Sequence, residues 1–146
     1  MIKNFRLILL LFALYACENA EDISNKMDHE VPYCKVLTDS LAVLAGQSAS
    51  IQVEVSDNAG LDKMVLSYGN WMLRESISLK ELNNPKSYRF ETTVKVPEDA
   101  AKEWMEEVIM NTGASYTITQ YYHKLVLEAT DINMNVRNIP VYIKVE

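Results

Sequence analysis

Two cysteines, four glycines and four prolines are too few for a disulfide scaffold, a collagen-like repeat or a linker chain. Clustered cations are missing as well. Fourteen basic against twenty acidic side chains leave a formal charge of −6, which excludes a protein that grips nucleic acid through its phosphates. No uninterrupted apolar run reaches the roughly 20 residues of a membrane-spanning helix. Nucleotide-cradling glycine loops and the G-x-S-x-G elbow of a serine hydrolase do not occur, and there are only two histidines, His29 and His123. A catalytic zinc wants about three protein ligands, so zinc chemistry has too few imidazoles. A carboxylate pair for glycoside hydrolysis is a property of the fold and is left open by the sequence. These absences point away from an enzyme.

What is present is ordinary for one globular domain. The 146 residues are 49% hydrophobic and 23% charged. The first sixteen residues differ from the rest. Lys3 and Arg6 precede an apolar run from Leu7 to Ala16 that ends at Cys17. That run has no polar face at helical spacing and is too short to span, so residues 1–16 are expected to be a cleaved signal peptide. Leu14-Tyr15-Ala16-Cys17 resembles a bacterial lipobox, which makes Cys17 the expected lipidation site and the lipid a membrane anchor.

Removing Lys3 and Arg6 with the signal takes the charge from −6 to −8. Residues 17–32 are acid-rich and poor in apolar side chains, which predicts a flexible tether with an r.m.s. span of roughly 20 Å. The acids directly after Cys17 resemble a surface-export signal, and an ordinary solvated linker has the same composition. Cys34, the second cysteine, is expected as a small buried hydrophobe at a strand start.

From residue 33 to 146 the pattern has a period of two. Ile51, Val53 and Val55 alternate with Gln52, Glu54 and Ser56. Tyr88 to Val96 and Ile139 to Val145 alternate likewise, and Pro140 marks an edge or a bulge because it cannot donate to a ladder. Further strands are expected at about 33–37, 41–45, 62–68, 71–79 and 116–129. Seven or eight strands separated by turn signals predict an all-β, immunoglobulin-like sandwich. One helix is expected within it, at about 98–110. There Ala101, Trp104, Met105, Val108 and Ile109 fall on one helical stripe, after Pro97 and before Gly113. Trp104 is expected to dock that stripe on the sheet.

Asp57-Asn58-Ala59-Gly60-Leu61 and Leu125-Val126-Leu127-Glu128-Ala129-Thr130-Asp131 resemble the D-x-x-G-L and L-x-L-x-A-x-D landmarks of bacterial immunoglobulin-like domains. With the lipobox and Tyr122-His123, the chain resembles small Bacteroides-type lipoproteins of undetermined function over about Ala42 to Glu146. Met134 stands where related domains usually place glycine, and His123 where they often have a tyrosine that ties down a corner. The resemblance implies a fold and an outer-membrane location, at the cell surface or on the periplasmic face, but no activity.

In such a sandwich the loops at 57–62, 80–87 and 131–137 gather at one end. Asp57, Asp62, Asp131 and Asn133 are then candidate Ca²⁺ ligands, since Ca²⁺ requires converging hard oxygens. The same side chains also cap tight turns, their commoner use. His123, on the face of Leu125 and Leu127, is expected as a core histidine with a hydrogen-bond partner. Tyr122 and Trp71 are the candidate ligand-stacking aromatics. Asp39-Ser40-Leu41 resembles a short O-glycosylation signal and also an ordinary turn. The expectation is a membrane-anchored, non-catalytic binding or adhesion module for a glycan or protein. The alternative is an accessory lipoprotein packing onto an envelope or nutrient-uptake complex.

Overall fold

The computed structural model describes residues 28–38 and 41–146. The expected signal peptide, Cys17, most of the tether, and Asp39 and Ser40 lie outside the described residues. Ten strands follow: β1 (Tyr33–Val36), β2 (Leu41–Val43), β3 (Ser48–Ser56), β4 (Leu61–Tyr68), β5 (Leu73–Ser78), β6 (Ser87–Lys95), β7 (Trp104–Ile109), β8 (Ser115–Gln120), β9 (His123–Asp131) and β10 (Val136–Val145).

One sheet has the order β1-β3-β6 and a second β2-β10-β9-β4-β5. Alternation along each strand sends one set of side chains between them. Ile51, Val53, Val55, Phe90 and Val94 from the first sheet meet Met64, Leu66, Leu125, Leu127, Val141 and Ile143 from the second in one buried cluster. Each such buried side chain contributes about 1.5–3 kcal/mol of transfer free energy, enough in sum to hold the sheets face to face. With β3 and β6 in one sheet and β4, β9 and β10 in the other, the chain path is that of an immunoglobulin-like sandwich. Pro140 pairs with Val126 on one side, while β2 joins β10 only at residues 143–145, so its missing donor falls on a free edge.

The expected helix at 98–110 is not there. Glu98 and Asp99 lie in a turn closed by Ala100 N–H donating to Pro97 O, and Trp104–Ile109 is strand β7. It pairs antiparallel with β8 as a separate two-stranded hairpin. The misreading has a physical cause. Residues four apart share a face in a helix and in a strand alike, so Trp104 and Val108, the two half-buried positions of β7, fit both patterns. The partner decides. Ser115–Gln120 carries Tyr116, Thr117, Ile118 and Thr119, strong strand formers. Gly113, expected as a helix stop, supplies the positive φ of +82° that turns the hairpin.

β9 runs from His123 to Asp131, nine residues or about 26 Å, and so defines two poles. The β3–β4, β5–β6 and β9–β10 turns meet at the Asp131 end. Leu61 N–H donates to Pro85 O and Ile132 N–H to Gly60 O. Residues 28–32 reach this same end, where Asn135 Nδ2 donates to Asp28 O and Pro32 is buried. The β7–β8 hairpin stands at the His123 end.

Candidate functional site: two poles of the sandwich

At the Asp131 pole the expected turn capping is present. Asp57 Oδ1 accepts from the N–H groups of Ala59 and Gly60, each at 2.9 Å. Asp131 is 1% exposed. Its Oδ1 accepts from the backbone of Asn133 and Asn135, and its Oδ2 from Asn135 Nδ2 at 2.7 Å. The two capping aspartates also meet a third carboxylate. Ligand atoms of Asp28, Asp57 and Asp131 all lie within 4.8 Å of one another. Asp28 Oδ1 accepts from Glu30 N–H, while its Oδ2 is buried with no hydrogen-bond partner.

Two of the four candidate Ca²⁺ ligands are therefore not in this group. Asp62 is drawn to Lys80 Nζ at 3.4 Å, and Asn133 contributes a backbone N–H to Asp131 rather than a side-chain oxygen to the group. Asp28 could not be found from sequence, because it sits in a stretch whose composition reads as tether. Only the loop clustering was legible.

At the opposite pole, His123 is 4% exposed, as its alternation with Leu125 predicts. Both ring nitrogens are engaged. Nε2 lies 2.8 Å from Ala101 O, and Nδ1 lies 2.9 Å from Tyr68 Oη. One directional chain satisfies every group. Asn70 Nδ2 donates to Tyr68 Oη at 3.0 Å, the phenol donates to Nδ1, and Nε2–H donates to Ala101 O. Burial raises the Tyr68 phenol above its ordinary pKa. The Asn70 hydrogen bond opposes the shift and the Glu106 carboxylate adds to it. His123 thus pins the segment between β6 and β7 to the start of β9.

The same imidazole lies between two indoles. The ring centroids of Trp71 and Trp104 are each 4.6 Å from that of His123. Tyr68 stands edge-on to Trp71 at 5.0 Å. The indoles border an open cleft of about 280 Å³ that Asn70 and Asp99 also line. Tyr122, the second expected ligand aromatic, is not in this cleft. It is exposed and meets Tyr142 edge-on at 6.4 Å. Trp71 was legible as an aromatic. Trp104 was legible as an aromatic too, but its meeting with Trp71 and Asp99 was not, because the helix expected at 98–110 hid the geometry.

The β7–β8 hairpin beyond the cleft pairs only within itself among the described residues. Val108 opposite Tyr116 and Glu106 opposite Ile118 share one face, while Met105 opposite Thr119 and Ile109 opposite Ser115 share the other. Met105 and Ile109 are 69% and 71% exposed, and Met110 and Tyr116 are exposed too. From 98 to 122 the chain carries Glu98, Asp99, Glu103, Glu106 and Glu107 against a single Lys102. The arm is therefore both apolar and acidic.

Cys34, in β1, is half-buried, and burial pushes its thiol up to about 11, with nearby Arg137 opposing the shift. That environment fits the expected hydrophobe at a strand start.

No protein-family model and no curated protein matches the chain. Among solved structures it is similar to the BIgI domain of beta protein from S. agalactiae, determined bound to CEACAM1. The identity is 15%, the match covers 79% of this chain and 96% of that one, and the TM-score is 0.35.

Proposed function

We propose that this chain is a membrane-anchored, non-catalytic binding module of a bacterial envelope, which docks a basic and apolar protein surface through the β7–β8 arm. One observation carries the reading. A two-stranded hairpin is marginal alone in water, and this one leaves Met105, Ile109, Met110 and Tyr116 uncovered. Aromatic and methionine side chains of this kind are enriched at interface cores, and the acids of residues 98–107 complement a cationic partner.

The anchor is the lipid on Cys17, and it fits the position of the arm. Asp28 is eleven residues further on, a reach of at most about 40 Å, and belongs to the pole opposite the arm. A tether entering there leaves the arm turned away from the membrane. The mature protein should therefore begin at Cys17 and carry acyl mass, and a mass that retains residues 1–16 contradicts the anchor. A partner in the same envelope makes the protein an accessory subunit, while one outside it makes the protein an adhesin.

Docking is tested by cross-linking whole cells and sizing the product. The native chain should run in a larger complex, whereas Glu103→Lys, Glu106→Lys and Glu107→Lys together should return it to monomer size with melting unchanged. A complex that survives the charge reversal rejects the reading.

The orphaned Asp28 Oδ2 favours one further element, a Ca²⁺ ion held by Asp28, Asp57 and Asp131. It would give that buried oxygen a partner and offset three neighbouring negative charges. Calorimetry with Ca²⁺ on the mature chain tests it, and no heat with no shift in melting retires it.

A further inference from the structure

We propose that the cleft at the His123 pole is a saccharide subsite, walled by the indoles of Trp71 and Trp104 and equipped with Asp99 and Asn70 as its hydroxyl-binding groups. This goes beyond the docking arm and does not depend on it. A pyranose presents C–H groups on one face and hydroxyls around its rim. An indole accepts the first without desolvating the second, and a carboxylate and an amide at the edge accept and donate to the rim. All of these groups line one open space of about 280 Å³. The Asp99 carboxylate makes no ion pair or hydrogen bond with another described residue. Asn70 spends one N–H on Tyr68 Oη, leaving its other N–H and its carbonyl oxygen for a ligand.

The walls are set before any ligand arrives. His123 is fixed by Tyr68 Oη and Ala101 O and packs against each indole at 4.6 Å, with the rings tilted by 43° and 33°, so little ordering is left to be done on binding. An ammonium is the other chemistry that suits indoles beside a carboxylate, since one indole face attracts a cation as readily as it packs on a sugar, and the choline arm of the test separates the two.

The test uses a property of the sequence: the chain has two tryptophans, and both border this cleft, so tryptophan emission reports on it alone. The mature chain is titrated with the methyl glycosides of glucose, galactose, mannose, N-acetylglucosamine and fucose, with cellobiose and lactose, and with choline chloride. A saturable emission change with at least one saccharide and none with choline is expected. Asp99→Ala should weaken that saccharide at least about ten-fold while leaving the melting curve unchanged, because Asp99 is exposed. Ile109→Ser, on the arm, should leave the titration as it is. A flat response to every saccharide, a response to choline, or a saccharide response indifferent to Asp99→Ala overturns the proposal, whatever the arm is found to bind.

Discussion

At Met134 the backbone takes a φ of +70°, a left-handed conformation in which an L side chain costs about 1–2 kcal/mol. The side chain is exposed and gives nothing back. Met134→Gly is therefore expected to stabilise the protein by about 0.5 kcal/mol, after the entropy glycine loses on folding, and thermal melting checks it. Gly60 is the opposite case. Its φ is +128°, and a Cβ there would stand 2.6 Å from Asn84 O, so Gly60→Ala should cost about 2 kcal/mol or more by denaturant unfolding.

Cys34 gives a prediction in pH. Its thiol is held at about 11 against 9.0 in the unfolded chain, so folding favours the neutral form. That contribution is whole below pH 9 and is lost as pH rises through about 11. Alkylation should accordingly be slow at pH 8 on the folded protein and fast in denaturant. Equal rates would show an open thiol.

Among the elements, core strands and arm should respond differently to the same kind of substitution. Phe90→Ala opens a cavity in a fully buried position and should cost about 3–5 kcal/mol by denaturant unfolding. Met105→Ser and Ile109→Ser remove side chains that touch water already and should each change stability by less than about 0.5 kcal/mol. A large loss from either would mean that the arm's apolar residues serve the fold rather than a partner.

The two classes were also unequally legible in the sequence. The alternation of Ile51-Val53-Val55 or Leu125-Leu127 is forced by a sheet buried on one face, so core strands announce themselves. β7 lacks that constraint. With only Trp104 and Val108 half-buried, its pattern carries too little periodic information to separate strand from helix. The pairing with β8 that decides the matter is a tertiary event. His123 was readable for the same reason as the core. Its contact with Ala101 O, set by the path of the intervening hairpin, was not.

For the whole molecule, the separation of the poles carries most of the functional reading. One end gathers the incoming chain, three turns and three aspartates. The other, about 26 Å away along β9, carries the indole cleft and the arm. If Ca²⁺ joins the three aspartates, it fastens residue 28 to the β3–β4 and β9–β10 turns, and an ion present at 100 times its Kd should stabilise the fold by about 2.7 kcal/mol. Asp28→Asn should then reduce the Ca²⁺-dependent rise in melting temperature while leaving the ion-free melt near that of the native chain.

The central claim is that the arm is the surface that meets another protein. A photo-cross-linking residue placed at Ile109, with the same residue at Thr93 on the solvent face of β6 as control, tests it in intact cells. A discrete adduct from position 109 that is absent at 93 and disappears when Glu103, Glu106 and Glu107 are reversed is the predicted result. The same adduct from both positions, or none from 109, would contradict it.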